Sequence, residues 1–408
     1  MRRHGRTDAD RVVVSGRGVV SAIGSDVASF RRALAGGRNG IGPVDGQPTR
    51  IAASVRDPGA TTAFIDANAA LLDRTTRLAL GATAQAVAES GLDTAGGLGS
   101  RAAVIVGTGS GCLSSIESYY AGFCADRERR QPPLVVPRTM YNAFASHISL
   151  AYGVTGPAFM LSTACASSAY AVALGVQMIR SGAIDVAIVG GAEACLTEGA
   201  FKAWEALRVL APDTCRPFSR GRRGLVLGEG AAIVVLESLA HARARGAPVH
   251  GEIAGCAMNS DAHSILTPSL QGQAAALRAC LVDAQMHEDE IGYINAHGTA
   301  THANDLTETR AIRDVFGDAA RRLAVSSTKS MHGHALGAAG AMELVATLLG
   351  LEDGFVPPTM NYTERDPDCD LNYVPNEAQR RRCGAALSNS FAFGGHNAVL
   401  AVRSAALV

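Results

Sequence analysis

The chain predicts an α/β protein in which helices cover buried sheets. Apolar runs ending at glycine alternate with helix-like segments along all 408 residues, and no low-complexity stretch separates independent domains. Hydrophobic residues make up 47% of the sequence, enough for a large core. Arg11-Val12-Val13-Val14-Ser15-Gly16 and Ala102–Gly107 read as buried strands. Leu78 to Ser90 reads as a helix. Ala166 to Arg180 is another, ended by Ser181-Gly182, and Asp185–Gly191 follows as a strand, with Ala231–Glu237 as one more. The later part repeats the theme with a strand at Ile291–Asn295, a helix from Leu336 to Leu351 and a glycine-interrupted β-hairpin from Ala385 to Arg403. This repetition predicts two similar halves, residues 1–250 and 251–408, built on predominantly parallel sheets.

Composition narrows the function classes. Basic and acidic residues balance at 37 each, so nucleic acid is not an expected partner. No apolar run approaches the roughly 18 residues of a membrane span. The arginines of Met1-Arg2-Arg3-His4 precede Asp8 and Asp10 rather than a signal-peptide core, and a cytoplasmic protein is expected. Nine cysteines, an odd number without C-x-x-C pairs, indicate neither a disulfide framework nor a metal motif. Of the 37 basic residues only Lys202 and Lys329 are lysine. A compact ammonium among so many guanidinium groups marks Lys329 for attention, because it falls in a segment rich in histidine and glycine.

Four segments carry chemistry. In Leu161-Ser162-Thr163-Ala164-Cys165-Ala166-Ser167-Ser168 a short apolar strand runs into a small-residue helix. That places the Cys165 thiol at a positive helix end, where unpaired N–H groups lower a thiol towards neutrality and can receive an oxyanion. In Asn295-Ala296-His297-Gly298-Thr299-Ala300-Thr301 an imidazole and two hydroxyls follow a strand, where open α/β sheets bind ligands. Ser326-Ser327-Thr328-Lys329-Ser330-Met331-His332-Gly333-His334 offers Lys329 and His334 from one turn. Asn389-Ser390-Phe391-Ala392-Phe393-Gly394-Gly395-His396-Asn397 has two glycines that permit close approach to a ligand. One cysteine at a helix start with two histidines on separate turns suits acyl transfer followed by a second chemical step, whereas a cysteine protease needs only one histidine.

These motifs, together with Val12–Gly18, Arg216-Pro217-Phe218 and Gly228-Glu229-Gly230, resemble the elongating β-ketoacyl-[acyl-carrier-protein] synthases over nearly the whole chain. That resemblance implies a thiolase-like five-layer αβαβα fold of two pseudo-equivalent halves, usually dimeric, with a Cys-His-His site. Cys165 would take an acyl chain from a carrier-protein thioester. Malonyl carrier protein would lose CO₂, and its enolate would attack the acyl-enzyme to give a β-ketoacyl product. His297 and His334 would steady the enolate as neutral donors, with Lys329 keeping them neutral and Glu308 pairing with Lys329. The backbone N–H groups of Cys165 and Phe393 would hold the acyl-transfer oxyanion. Phe393, with Gly394 and Gly395, would gate the acyl pocket, although Ala392 stands where the family usually has glycine and would stiffen the gate.

Thr299 and Thr301 match residues that bind the phosphopantetheine arm, or they cap local turns. Ser110, where relatives often carry a branched apolar residue, and Trp204 are expected along the acyl pocket. Arg127, Arg129 and Arg130 are candidates for docking the acidic carrier protein. The loop Ser219-Arg220-Gly221-Arg222-Arg223-Gly224 departs from the family's usual acidic residues. No cofactor of its own is expected, since phosphopantetheine arrives on the carrier protein. The second subunit is either another copy or a chain-length-factor-like partner. Within the fold, the alternatives are a non-condensing acyltransferase, a chain-length partner subunit, which typically lacks the cysteine, and a thiolase, which needs a second cysteine near Phe391-Ala392-Phe393. Fatty-acid and type II polyketide or polyene assembly share this site, with a slight tilt to specialised metabolism.

Overall fold

The computed structural model describes residues 6–56, 62–128 and 130–408. Ten strands build its main sheet system: β1 (Val12–Ser21), β2 (Ala102–Gly107), β3 (Ala158–Leu161), β4 (Val186–Glu193), β5 (Gly230–Ser238), β6 (Gly251–Ser260), β7 (Ile291–Asn295), β8 (Ala324–Ser326), β9 (Ala385–Phe391) and β10 (His396–Ser404). Their hydrogen-bonded order is β8-β7-β9-β10-β6-β1-β5-β4-β2-β3. The two five-strand groups meet only at Val13 opposite Glu252 and Val14 opposite Gly251.

Outward from that joint, both groups place their first, fifth, fourth, second and third strands in the same sequence. Directions match as well. In the first group β1–β5 and β5–β4 are antiparallel while β4–β2 and β2–β3 are parallel. In the second, β6–β10 and β10–β9 are antiparallel while β9–β7 and β7–β8 are parallel. The halves are therefore pseudo-equivalent, but each sheet is mixed rather than predominantly parallel. A crossover helix enforces a parallel neighbour, whereas a hairpin such as 391–396 enforces an antiparallel one. Alternation of element types in the sequence does not report which strand returns beside which.

Six helices position the site: α1 (Arg74–Ser90), α2 (Leu113–Ala125), α3 (Ser167–Arg180), α4 (Leu270–Ala284), α5 (His302–Phe316) and α6 (Ala339–Asp353). Helices α3 and α6 lie between the two sheets and touch strands of both halves. Helix α1 covers the outer face of β1 and β5, and α4 with α5 covers the second sheet, which completes five layers. Helix α1 begins a turn before the predicted Leu78 because the Asp73 carboxylate caps it, accepting from the Thr75 N–H at 2.8 Å.

The central position explains the sequence of α6. Every residue from Ala339 to Leu351 is buried, so only the Glu352-Asp353 end of the helix meets solvent. Its small residues let it approach its neighbours closely: a Cβ on Gly340 would lie 2.8 Å from Ser390 Oγ and 3.0 Å from Ala169 Cβ on α3. No helix among the described residues is long and apolar enough to cross a membrane.

Candidate active site

The ends of β3, β7 and β8 and the β9–β10 turn converge on one cleft with a cavity volume of about 140 Å³. Cys165 enters it from a sharp turn between β3 and α3. Ala164 adopts φ +49°, a left-handed conformation unusual for a residue with a side chain. Ser167 Oγ braces the turn, accepting from the Thr163 N–H at 2.9 Å and lying 2.6 Å from Ala164 O and 3.1 Å from Thr108 O. The sulfur thus sits at the N-terminal end of α3, as expected, and the Phe393 backbone N–H is directed at it.

His297 follows β7 and is held by two side chains, Lys329 and Glu308. Lys329 Nζ donates to His297 O at 2.6 Å and lies 3.3 Å from His297 Nδ1. Because an ammonium only donates, Nδ1 accepts and the ring proton sits on Nε2. Glu308, on α5, reaches back to accept the N–H groups of His297 and Gly298, each at 2.8 Å, and the Asn389 Nδ2 at 3.0 Å.

The expected Lys329–Glu308 pair is therefore replaced. Lys329 pairs with Glu343 on α6, both fully buried, and Glu308 is spent on orienting the His297 loop. Helix α6 runs past the lysine and presents its carboxylate there, a proximity that chain order does not contain.

His334 is anchored through its backbone, donating to Val226 O at 2.7 Å and accepting from the Gly228 N–H at 2.9 Å. Its Nε2 lies 3.0 Å from Cys165 Sγ, and its ring centroid is 5.4 Å from that of His297 at 83°. Ligating atoms of Cys165, His297 and His334 all fall within 4.8 Å of one another. Burial, and then the Lys329 charge, holds both imidazoles well below the ordinary histidine range, so they are neutral. Burial also pushes the Cys165 thiol up to about 12, against the pull of Lys329. That runs against the expectation of a thiol lowered towards neutrality: desolvation outweighs the pull of Lys329 and of the Phe393 N–H.

The cleft walls contain Thr299, Thr301, Trp204 and Phe393. Thr299 Oγ1 and Thr301 Oγ1 are 2.9 Å apart, and Thr301 also caps α5, so its hydroxyl serves the turn as well as the cleft. The Trp204 ring stacks on Phe393 at 6.0 Å and 23°. Gly394 adopts φ +83°, where a side chain is disfavoured, and Gly395 follows it into the β9–β10 turn. Ala392 lies at φ −106°, ψ 158°, ordinary extended backbone, and its methyl packs against the core. Alanine fits there without backbone strain.

Ser110 does not line the cleft. Its hydroxyl donates to Glu193, a buried carboxylate that also accepts the N–H groups of Gly109 (2.7 Å) and Gly337 (3.0 Å). The small side chain makes a hydrogen bond rather than a longer pocket. Arg127 and Arg130 are exposed away from the cleft lining, with the Arg127 guanidinium 6.0 Å from the Phe123 ring centre, and Arg129 lies outside the described residues. In the arginine-substituted loop, Arg222 is buried against Asp366 and His302, while Arg223 pairs with Asp213 at 3.1 Å. Glu193 and Glu343 were the residues sequence reasoning missed. The one signal for Glu343 is a carboxylate inside a small and apolar helical stretch, apart from the exposed Glu352-Asp353 end.

A two-sheet, five-layer fold with a cysteine at a helix start and two neutral histidines facing it defines a condensing enzyme of the thiolase-like class. The chain belongs to the β-ketoacyl synthase family: residues 9–242 match its N-terminal domain and residues 250–363 its C-terminal domain. It is 45% identical over 399 residues to Nodulation protein E of Rhizobium sp. (strain N33), covering 96% of this chain and 99% of that protein. It is 37% identical to 3-oxoacyl-[acyl-carrier-protein] synthase 2 of Synechocystis sp., covering 96% of this chain and 98% of that protein. Among solved structures, the ishigamide ketosynthase/chain length factor matches with a TM-score of 0.90 and 36% identity, over 97% of this chain and 99% of that one.

Proposed function

We propose that the protein performs decarboxylative Claisen condensation between an acyl chain carried on Cys165 and malonyl-[acyl-carrier-protein]. The 3.0 Å approach of His334 Nε2 to Cys165 Sγ, with His297 completing the triad, is the observation that carries this proposal. In the first half-reaction the sulfur attacks the acyl thioester; His334, as its Nδ1–H tautomer with Nε2 bare 3.0 Å from the sulfur, takes the thiol proton, and it returns to the Nε2–H tautomer before the second half-reaction. The oxyanion forms between the N–H groups of Cys165 and Phe393, and the departing carrier thiol takes the proton.

In the second half-reaction the malonyl thioester loses CO₂, leaving negative charge on its carbonyl oxygen. Neutral Nε2–H groups of His297 and His334 steady that charge without competing for it as acids. The enolate carbon bonds to the acyl carbon, and collapse of the tetrahedral adduct expels the Cys165 sulfur, which regains a proton. Thr299 and Thr301 line the route of the pantetheine arm.

A second subunit belongs at the β3 edge, where the helix packed on that strand carries Leu150, 71% exposed. It is another copy or a chain-length-factor-like partner, and native mass measurement distinguishes the two. The 45% identity to Nodulation protein E against 37% to 3-oxoacyl-[acyl-carrier-protein] synthase 2 supports a role in specialised rather than primary fatty-acid metabolism. The protein is to be mixed with acyl and malonyl carrier proteins. Release of CO₂ with a β-keto product supports condensation, and acyl-Cys165 without either makes it a simple acyltransferase. Intact-mass measurement across a panel of acyl carriers then reports the chain preferred.

A further inference from the structure

The sequence contains no metal-binding motif, yet folding brings a sulfur and two imidazoles from three separate segments into one buried cluster. A tetrahedral zinc ion takes a cysteine sulfur at about 2.3 Å and imidazole nitrogens at about 2.0–2.1 Å, which sets ligand atoms roughly 3.3–3.6 Å apart. The cluster brackets that spacing, with 3.0 Å between His334 Nε2 and Cys165 Sγ and every ligand atom within 4.8 Å of the others. All three side chains are buried and line the cleft.

Glu193 and Glu343 act electrostatically on Cys165 and Glu308 grips the His297 backbone, while the Lys329 ammonium, the strongest charge acting on Cys165, opposes a second cation. Thiolate with imidazole is the ligand set that thiophilic divalent ions prefer over magnesium or calcium. His334 Nδ1 is buried without a hydrogen-bond partner, so it is free to hold the ring proton when Nε2 turns to a metal.

We propose that Cys165, His297 and His334 form a reversible inhibitory site for a thiophilic divalent cation of the zinc class, which competes with acyl loading for the same sulfur. Binding is coordination only, with no redox change. The metal displaces one proton, that of the Cys165 thiol, which leaves through the cleft; each imidazole keeps its own by moving it to Nδ1, with Lys329 Nζ retained by His297 O and Glu343. Chelation by EDTA reverses the sequence.

Cobalt(II) serves as the probe, because it occupies zinc sites and absorbs visible light. The full-length protein is titrated with Co²⁺ and followed by absorption. The expected result is saturation at one equivalent, with a sulfur-to-cobalt charge-transfer band and intense visible bands of a tetrahedral ion. Zn²⁺ displaces the cobalt, and acyl loading of Cys165 is lost over the same Zn²⁺ range. The bands are absent from Cys165→Ser and from wild type alkylated at Cys165, and they persist in Cys124→Ser, which removes an exposed thiol. No charge-transfer band in wild type, or an undiminished band in Cys165→Ser, overturns the proposal. Because absorption is read without carrier substrates, this outcome is independent of whether the protein condenses them.

Discussion

Glu343→Gln is the sharpest test of the electrostatics around the site. The substitution keeps shape but leaves the Lys329 ammonium buried at 0% exposure, retaining only its bonds to His297. Two unit charges in contact at roughly 3 Å attract by about 5 kcal/mol at an effective dielectric near 20, and removing one partner of a buried pair costs about 3–5 kcal/mol.

The reciprocal change is milder. Burial already holds Glu343 at about 7, so once Lys329→Met removes the cation the carboxyl takes up a proton at little cost at neutral pH. Glu343→Gln is therefore expected to lower stability by about 3–5 kcal/mol, Lys329→Met by less, and the double variant by less than the two together. Urea denaturation at pH 7 measures all three. Additivity of the singles, or a larger loss in Lys329→Met than in Glu343→Gln, would refute the reasoning. Coupling of Lys329 to Glu308 instead would restore the pair that the sequence suggested.

Four further outcomes are expected. His334→Ala should slow CO₂ release by about 10²–10³ while acyl loading, whose oxyanion rests on backbone N–H groups, falls less; equal losses in single-turnover assays would contradict this. Ala392→Gly should lower stability by about 0.5–1 kcal/mol, since alanine is unstrained there, and a thermal melt showing stabilisation would count against it. Asp213 is held at about 2 by Arg216 and Arg223, so its contribution is present above its ordinary value of 3.8 and disappears as pH falls towards about 2. The difference in melting temperature between wild type and Asp213→Asn should shrink through that window, and a difference that grows would reverse the sign. Charge reversal in Arg127→Glu/Arg130→Glu should raise KM for carrier protein more at low salt than at high salt, with kcat unchanged; steady-state titration at two ionic strengths checks it.

Much of the chemistry was legible along the chain because local backbone geometry demands it. A cysteine between an apolar strand and a small-residue helix is a helix-start nucleophile wherever the chain goes next, and glycines beside Phe393 announce a turn that tolerates positive φ. Hydrophobic alternation likewise announced strands and helices, since burial follows the period of each element. Partners of buried charges were not legible. Lys329 and Glu343 lie on separate segments that meet only when α6 slides between the two sheets, and Ser110 turns to Glu193 because β4 ends beside its loop.

The sequence by itself determined the residue types of the site, the class of fold and the presence of two related halves. Tertiary structure decided the mixed strand directions, the ion pair behind His297 and the surroundings of the nucleophile. The reason is common to all three: each depends on desolvation and proximity between segments distant in the chain. Neither quantity exists until the core has closed around them.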